Sequence, residues 1–503
     1  MQPPSQSPSS PPSVARVVRA LARRGLTVRR DGPVWCIRHT DDPHAPFAEV
    51  LLPDALPLEA DAAAQLADLA SVRHPHGGGA CAVCATPDFH PGDSGIAIGS
   101  VFGSDSVVVP AAVGSDVNCG MRLHATDLEL GAFESGRASL VDKLRGDYLL
   151  GTRDSVMSAA SMRALFSGGL PAWIEATRAR PLGRCADVDW AQVWDETTRR
   201  TLDDGTLGAT ELHPRVFGGG SLAGDVQWAP QTLVPDDGEV RDDGLATIGR
   251  GNHFVEVQVV DEVMDRRRAW AWGLARDRVV FMVHTGSRKV GKVIGATWRD
   301  RAREAWPDGE RYPASRIFPL PAGGAAARAY LSAEATAGNY GFVNRMLLAE
   351  LMRLRLREVF GAGVAAPLVY DVPHNLTTFE GGLWVSRKGA CPAHAGLPVI
   401  IPGSMGTASF VCVGRGARRF LQSASHGAGR AVSRGAMGQQ VRDDAHATAL
   451  GLDGVHCVTL RDERRVQEAP AAYKPIEPVV AAQRDAGVVE VVARLRPLLT
   501  FKA

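Results

Sequence analysis

The stretch VVFMVHTG, residues 279–286, is a short apolar run that ends in a histidine, a threonine and a glycine. LVYDVPHNL at 368–376 and PVIIPGSMG at 398–406 have the same form. Short apolar runs bounded by polar or small residues are typical of buried strands, and functional side chains concentrate where such strands end. The three runs therefore predict a buried sheet whose strand ends form a site.

Helical patterns separate these runs, at 58–72, 138–150, 335–360 and 476–497. Together with the strands they predict a fold of mixed α and β. The sequence shows no repeat of the kind that builds a solenoid. Its 503 residues, 45% apolar and 22% charged, suffice for one large core or two moderate ones and exclude a disordered scaffold.

The N-terminal part differs in composition. Residues 1–13 are nearly all Pro, Ser and Gln, which predicts a disordered tail. Residues 14–24 predict a short basic amphipathic helix, and VWCIRH at 34–39 predicts a strand. We therefore expect a small N-terminal element over 14–54 and one main domain over 55–503.

Charge and cysteine content indicate which partners the protein can bind and in which compartment it lies. The 56 cationic residues comprise 50 arginines and six lysines, and the net charge is only +1. An RNA-binding face would therefore be a local arginine patch. Eight cysteines in this length, without a secretory signal, predict a reducing, cytoplasmic location. No apolar run approaches the roughly 18 residues of a membrane span, so we expect no membrane insertion.

A set of candidate metal ligands lies next to glycines and strand ends. Asp116 and Cys119 are three residues apart in a Gly-flanked turn, and His253, His284 and His374 each border an apolar run. Each histidine taken singly is more often a core residue, and a buried cysteine usually behaves as a small hydrophobe. Five such residues exceed one tetrahedral site and suit two divalent ions that share the thiolate. The mixed ligands suit Mn²⁺, although spacing alone does not choose manganese over zinc.

Two small-residue loops are candidates for nucleotide binding. IPGSMGTASFV at 401–411 is a strand followed by small residues whose N–H groups can approach a phosphate or a base, with a plain tight turn as the alternative. SASHGAGRAVSRG at 423–435 places His426 before a Gly-rich loop that predicts the start of a helix and an anion site. Because neutral imidazole is a competent nucleophile, His426 is a candidate for attack on a phosphoryl group.

Eight segments together resemble the RtcB family, the 3′-phosphate RNA ligases of tRNA splicing and RNA repair. They follow one another in the family's order over roughly residues 55–503, which makes the resemblance highly specific. It implies a single large α+β catalytic domain with a central β core covered by helices. The segments are PDFHPGDSGIAIGSVF (87–102), VPAAVGSDVNCGM (109–121), GRGNHFVE (249–256), VHTGSR (283–288), RKGA (387–390), PGSMGTAS (402–409), SHGAGR (425–430) and VVEVVARLRPLLTFKA (488–503).

The resemblance assigns roles to individual residues. It implies that Cys119 bridges two Mn²⁺ ions, one also held by Asp116 and His253 and the other by His284 and His374. It implies that His426 carries a covalent guanylate. For Lys502, next to the last residue, an exposed surface position is the alternative. The implied nucleotide contacts are Asn252, His253, Phe254, Val255, Glu256, His374, Asn375, Pro402, Gly403, Ser404, Met405, Ser409, His426, Gly427, Ala428, Gly429 and Lys502.

The implied reaction uses GTP and two Mn²⁺ ions as cofactors and RNA as substrate. An RNA 3′-phosphate or 2′,3′-cyclic phosphate end would be joined to a 5′-hydroxyl end through the His426 guanylate and an RNA-ppG end. Arg288, Arg387 and Arg430 are the candidates for contact with RNA phosphates. An archease-like activator is a further candidate partner, and we expect a monomer.

The sequence departs from the family pattern in several places. Members commonly read DIGCGM, HRKGAT and HPGKG where this chain reads DVNCGM, SRKGAC and HPGDS, so a lysine is replaced at Asp93 and a histidine at Ser386. A paralogue specialised for damaged RNA is therefore an alternative. A metal-dependent RNA phosphodiesterase or cyclic phosphatase would use the same ligands without His426, and a non-catalytic RNA-binding protein would need neither.

Cys81 and Cys84 form a CxxC pair just after His74 and His76, which suggests a zinc site. A strong zinc signal has two paired half-sites, and the sequence contains no second CxxC. We therefore favour unpaired loop thiols over a structural zinc ion.

Overall fold

The computed structural model describes residues 14–202, 213–433, 437, 451–452 and 454–503. The tail predicted to be disordered, residues 1–13, lies outside the described residues. The helices are α1 (Val14–Ala22), α2 (Ala60–Ala70), α3 (Leu130–Leu149), α4 (Ala159–Ala179), α5 (Trp190–Trp194), α6 (Arg266–Ala271), α7 (Arg288–Glu304), α8 (Ala325–Phe360), α9 (Asp462–Gln467) and α10 (Ile476–Asp485).

The strands alternate with these helices along the chain. They are β1 (Leu26–Asp31), β2 (Val34–His39), β3 (Ala48–Leu51), β4 (Ala82–His90), β5 (Ile98–Ser104), β6 (Val107–Val108), β7 (Gly120–Glu129), β8 (Val156–Ser158), β9 (Thr201–Leu202), β10 (His213–Pro214), β11 (Glu239–Arg241), β12 (Phe254–Val263), β13 (Arg278–Thr285), β14 (Leu320–Pro321), β15 (Leu368–Pro373), β16 (Asn375–Glu380), β17 (Leu383–Lys388), β18 (Ala390–Pro392), β19 (Pro398–Ile401), β20 (Ser409–Gly414), β21 (Ser423–Ser425), β22 (His456–Thr459) and β23 (Val489–Lys502).

Two large sheets organise the described residues. One has the order β1-β2-β3-β4-β5-β17-β16 and is antiparallel except for the pair β3–β4. The other has the order β15-β7-β13-β12-β23-β20-β19, with β22 joined in parallel to β23. The mixed α+β class predicted from the sequence is therefore confirmed, and both sheets contain strands from distant parts of the chain.

The eight-stranded sheet is buried on both faces. On β13, Val279, Phe281 and Val283 face the largest core, where α3, α4, α7 and α8 pack. Val280 and Met282 alternate with them and face a second apolar cluster on the opposite side. A strand that is covered on both faces is apolar at every position, which explains why VVFMV is a continuous apolar run.

The predicted helices over 58–72, 138–150 and 335–360 are confirmed as α2, α3 and α8. The prediction for 476–497 is wrong in its second half, because the helix ends at Asp485 and residues 489–502 form β23 in the middle of the larger sheet. Periodicity does not distinguish a buried helix from a strand in a run this apolar. Pairing with β12 and β20 decides in favour of the strand.

The N-terminal segment contributes β1, β2 and β3 to the seven-stranded sheet. Trp35 and Val50 share an apolar core with Val101, Phe410 and Val479, which lie far along the chain. The strand predicted at 34–39 and the helix predicted from residue 14 are both present. The domain limits after residues 13 and 54 stay a prediction.

Within the described residues, no helix is both long and apolar enough to cross a membrane.

Candidate active site and metal centre

The candidate metal ligands lie at one end of the larger sheet, where several neighbouring strands begin or end. In the antiparallel register, His284 on β13 lies opposite Phe254 on β12 and Met121 on β7. The backbone N–H of His374 donates to the carbonyl of Cys119 at 2.7 Å, which fixes the end of β15 beside the start of β7. Strand pairing therefore brings together residues that are up to 255 positions apart in the sequence.

Four candidate ligands meet around the sulphur of Cys119. Its Sγ lies 3.2 Å from Nε2 of His253 and 3.2 Å from Nε2 of His284. On one side, Nε2 of His253 is 2.8 Å from Oδ2 of Asp116. On the other side, Nε2 of His284 is 3.4 Å from Nε2 of His374. The side chains thus form two three-residue groups that share Cys119.

The donor set fits two divalent cations. Ligand atoms bound at about 2.0–2.3 Å to one ion lie roughly 3–4 Å from each other, and the separations around Cys119 are close to that range. Burial lowers the pKa of His284 and of His374 well below the usual value, so both imidazoles are neutral, the form that binds a metal. Burial and Asp116 raise the pKa of Cys119 well above its usual value, so its thiolate would need a bound cation.

His426 lies next to this cluster and is held by a buried carboxylate. Its ring centroid is 4.8 Å from that of His374. Oδ2 of Asp88 accepts hydrogen bonds from Nδ1 of His426 at 2.6 Å and from its backbone N–H at 3.2 Å. Thr86 donates its hydroxyl to Oδ1 of Asp88 at 2.6 Å. The carboxylate thereby occupies Nδ1 and leaves Nε2 as the free nitrogen of the ring.

Asp88 stays ionised in spite of its complete burial. Burial by itself would raise the pKa of Asp88, but its interaction with His426 and the hydrogen bonds from His426 and the Thr86 hydroxyl hold that pKa below its usual value. Gly429 approaches the Asp88 backbone so closely, at φ +74°, that a Cβ would lie 2.2 Å from the Asp88 carbonyl oxygen. The Gly-rich loop after His426 therefore packs directly on the carboxylate's own strand.

A cavity of about 720 Å³ joins these groups. His253, Val255 and Ser409 do not line it, although His253 belongs to the metal group and Ser409 accepts a hydrogen bond from Gly403, which does. The predicted site residues that line it are Asp116, Cys119, Asn252, Phe254, Glu256, His284, His374, Asn375, Pro402, Gly403, Ser404, Met405, His426, Gly427, Ala428, Gly429 and Lys502.

Glu256 is held in the cavity wall by a chain of polar side chains. Thr500 donates to its Oε2 at 2.5 Å, and Gln258 donates to its Oε1 and to Ser409. The Ser409 hydroxyl in turn accepts from the N–H of Gly403 at 3.2 Å, which links Glu256 to the small-residue loop. Burial raises the pKa of Glu256 to about 7, while Thr500, Gln258 and Lys502 act in the opposite direction.

The penultimate lysine is buried, so the surface alternative for Lys502 is wrong. Its ammonium lies 3.9 Å from Glu468 and 5.8 Å from the ring centre of Phe254. Glu468 also accepts from Arg430 at 3.1 Å and from the hydroxyl of Tyr473. The sequence did not single out Glu468 or Tyr473, whose segment carries no recognisable local motif.

The three arginines predicted to contact RNA differ in their surroundings. Arg387 is 1% exposed and forms a salt bridge of 2.7 Å with Glu380, which leaves it no face for RNA, so that prediction is wrong. Arg430 lines the cavity but is bound to Glu468. Arg288 is partly exposed and donates to Thr247 at the loop that precedes Asn252.

The departures from the family pattern fall in different places. Asp93 and Ser94 line the cavity, and Ser94 accepts a hydrogen bond of 2.6 Å from Lys388. Ser386 is buried away from the cavity and is bonded to Thr377. Asn118, where members commonly have glycine, has φ +51°, a conformation that asparagine tolerates.

Cys81 and Cys84 do not form a metal site in the described part of the chain. Neither thiol belongs to a group of three potential ligands. Cys84 is buried, and burial raises the pKa of its thiol to about 12, while Cys81 is exposed and donates to Asp105. The helix expected after His426 is not seen over 427–433, and residues 434–436 and 438–450 lie outside the described residues.

The site combines two groups of nitrogen, sulphur and oxygen ligands with a nearby histidine that is held by a carboxylate. This combination is typical of metal-dependent enzymes that act on phosphoryl groups. Comparison with known proteins is consistent with that class. The family model described as "tRNA-splicing ligase RtcB" matches residues 65–503.

Curated relatives match over most of their length. The tRNA-splicing ligase RtcB of Archaeoglobus fulgidus is 30% identical over 473 residues, covering 88% of this chain and 91% of that protein. The protein of the same name from Thermococcus kodakarensis is 32% identical, covering 82% and 86%. The RNA-splicing ligase RtcB of Mycobacterium tuberculosis is 32% identical, covering 82% and 95%. The chain therefore belongs to the RtcB family, and it is an RNA ligase.

Proposed function

We propose that this ligase is GTP- and Mn²⁺-dependent and joins RNA 3′-phosphate or 2′,3′-cyclic phosphate ends to 5′-hydroxyl ends through a guanylate on His426. The observation that carries the proposal is the placement of His426. Its Nδ1 is engaged by Asp88 at 2.6 Å, and its ring lies 4.8 Å from a histidine of the candidate metal cluster.

Two Mn²⁺ ions would be held by Asp116, Cys119 and His253 and by Cys119, His284 and His374. Bound there, they would supply Lewis-acid stabilisation of phosphate oxygens. The choice of manganese follows the family resemblance and the mixed oxygen, nitrogen and sulphur donors.

Asp88 prepares His426 for nucleophilic attack. A neutral imidazole whose Nδ1–H points at a carboxylate has its lone pair on Nε2. When Nε2 attacks the α-phosphorus of GTP, a P–N bond forms, the bond to pyrophosphate breaks, and the ring becomes a cation. The ionised Asp88 carboxylate stabilises that cation where it forms, so no proton has to leave the ring.

The two following steps use the same groups. An oxygen of the RNA 3′-phosphate attacks the guanylate phosphorus, the P–N bond breaks, and His426 returns to its neutral form. The RNA 5′-hydroxyl then attacks the activated 3′-phosphate and releases its proton to solvent, the P–O bond to GMP breaks, and GMP leaves as the new phosphodiester forms. A 2′,3′-cyclic phosphate would first be opened by water in this cavity.

The guanine end of GTP would lie between the 402–405 loop and the buried carboxylate of Glu256. The predicted contacts along this wall are residues 402–405, the ring of Phe254, and Lys502. Glu256 is the acceptor suited to the N–H groups of guanine. These assignments rest on the cavity lining and on the family resemblance.

The substrate class follows from the relatives' names. Several are described as tRNA-splicing ligases, so cleaved tRNA halves are the first RNAs to test. Arg288 remains the leading candidate for phosphate contact. An archease-like activator and a monomeric state remain predictions.

The experiment that tests the proposal is incubation with GTP labelled on the α-phosphate and with Mn²⁺. We expect an alkali-stable, acid-labile label on the wild type and none on His426→Ala. Unlabelled wild type, or undiminished label on His426→Ala, would refute the covalent mechanism. Activity on cyclic-phosphate RNA without GTP would favour the phosphodiesterase alternative.

A further inference from the structure

Among the described residues, two of the candidate metal-binding histidines have no hydrogen-bond partner at Nδ1 that would orient their rings. Metal-binding histidines usually donate their second ring nitrogen to a carboxylate or a carbonyl. His253 follows this rule, with Nδ1 3.1 Å from the carbonyl of Ile248. Nδ1 of His284 and Nδ1 of His374 have no partner within the described residues. The position of these two rings therefore depends on the backbone that carries them.

Arg345 on α8 is bonded to the three segments that carry Cys119, His284 and His374, through two backbone carbonyls and one side-chain carboxylate. Its Nη1 donates to the carbonyl of Asn118 at 2.6 Å and to the carbonyl of Thr285 at 3.0 Å. Asn118 precedes Cys119, and Thr285 follows His284. Nε donates to Oδ1 of Asp371 at 2.9 Å, three residues before His374 on β15.

The contact with the Cys119 turn is closed by the Asn118 side chain. Oδ1 of Asn118 accepts from Nη2 of Arg345 at 3.0 Å, and its Nδ2 donates to the carbonyl of Gly338 at 2.5 Å. Glycine is needed after Cys119, because a Cβ at Gly120 would lie 2.5 Å from the carbonyl oxygen of Val372 and 3.0 Å from the guanidinium carbon of Arg345. Helix α8 thus contacts this turn at two points, through the side chain of Arg345 and the carbonyl of Gly338.

Arg345 is ion-paired with a buried carboxylate, that of Asp371. Arg345 and Asp371 are both 0% exposed, and the second carboxylate oxygen of Asp371 accepts from Arg122 at 3.2 Å. A planar guanidinium has several donors in a fixed arrangement, so it can bridge two backbone carbonyls and a carboxylate at once, which a single ammonium group does less well.

We propose that Arg345 is a positioning residue of the metal centre, which holds the segments that carry Cys119, His284 and His374 at the separation two divalent ions require. This inference rests on the proposed metal centre. In the described part of the chain, no hydrogen bond of Arg345 reaches a ligand side chain, so it would act through the carbonyls of Asn118 and Thr285 and the carboxylate of Asp371.

The competing explanation is that Arg345 only stabilises the fold, and α8 provides a matched control for it. Arg353, two helical turns further on, is also buried, at 2% exposure, and is also ion-paired, with Glu196 and Glu350. Its remaining contacts, with His124 and the carbonyl of Ala366, include no candidate metal ligand. Arg353→Lys therefore reports what the loss of a buried arginine costs in stability alone.

The test compares Mn²⁺ binding, by calorimetry, in the wild type, Arg345→Lys and Arg353→Lys. Loss of a residue that holds metal ligands in place typically weakens metal binding by about 10–100-fold. We expect a loss of that size for Arg345→Lys and not for Arg353→Lys. In the Co²⁺-loaded proteins, the thiolate-to-cobalt absorption of Cys119 should change in Arg345→Lys and stay unchanged in Arg353→Lys. Wild-type affinity in a folded Arg345→Lys, or an equal loss in both variants, would overturn the proposal.

A second variant decides the matter if Arg345→Lys does not fold. Asn118→Gly removes one acceptor of Arg345 and suits the positive φ at that position, so the fold should survive. We expect Mn²⁺ binding weakened several-fold, and unchanged binding would contradict the proposal. If the wild type itself fails to bind two ions, the metal centre of the proposed function is wrong, which is a different result from equal affinity in wild type and variant.

Discussion

Replacing Asp88 by asparagine is the sharpest test of the proposed activation of His426. Asp88→Asn keeps the size of the side chain but removes the negative charge 2.6 Å from Nδ1. Two unit charges about 4 Å apart attract by about 4 kcal/mol at an effective dielectric constant of about 20. If this attraction stabilises the ring cation in the transition state, its loss corresponds to roughly 10³-fold in rate.

The amide also weakens control over the ring tautomer. Its NH₂ group can donate to Nδ1, which would place the proton on Nε2 and remove the attacking lone pair. We therefore expect single-turnover guanylylation of Asp88→Asn to be slower by about 10³-fold or more, with GTP and Mn²⁺ binding retained.

The assay follows covalent label from α-labelled GTP over time at saturating GTP and Mn²⁺. Thr86→Val is the matched control, because it removes one hydrogen bond to Asp88 and leaves the charge in place. We expect that control to lose less than about tenfold, the cost of one net hydrogen bond. A folded Asp88→Asn protein that reacts as fast as this control would refute the reasoning.

Three further predictions concern the cavity. Burial raises the pKa of Glu256 to about 7, so the carboxylate that we propose as the acceptor for guanine becomes protonated as the pH falls through 7. The Kd of GTP should therefore rise below that pH in the wild type but not in Glu256→Gln, and a flat wild-type profile would contradict this. Cys119→Ala should remove both Mn²⁺ ions and Asp116→Ala only one, as measured by metal analysis after gel filtration; equal retention would disprove the shared thiolate. Asp93→Lys adds a cation beside Lys388, so a 3′-phosphate RNA should bind more tightly and its affinity should depend more steeply on salt concentration. An unchanged salt dependence would count against a phosphate contact at Asp93 and Lys388.

Local patterns predicted the elements that surround the site. The runs at 279–286 and 368–376 are strands that end at His284 and His374, because a strand buried on both faces needs a continuous apolar sequence. The same property misled the prediction over 489–497, where an apolar run read as a helix is the central strand β23. Arg387 was predicted to contact RNA, but it is buried and paired with Glu380, a contact that the sequence did not indicate.

The sequence by itself determined the chemical kinds of residue at the site: one thiol, the imidazoles, a carboxylate and the small-residue loops, together with their order along the chain. Only the tertiary structure decided that Asp88 holds His426, 338 residues away, and that Arg345 ties the Cys119 turn to the ends of two strands. The physical reason is that strand register and helix packing set which side chains meet. Those contacts join segments that are far apart in the sequence, and the local sequence of one segment does not indicate its contact with the other.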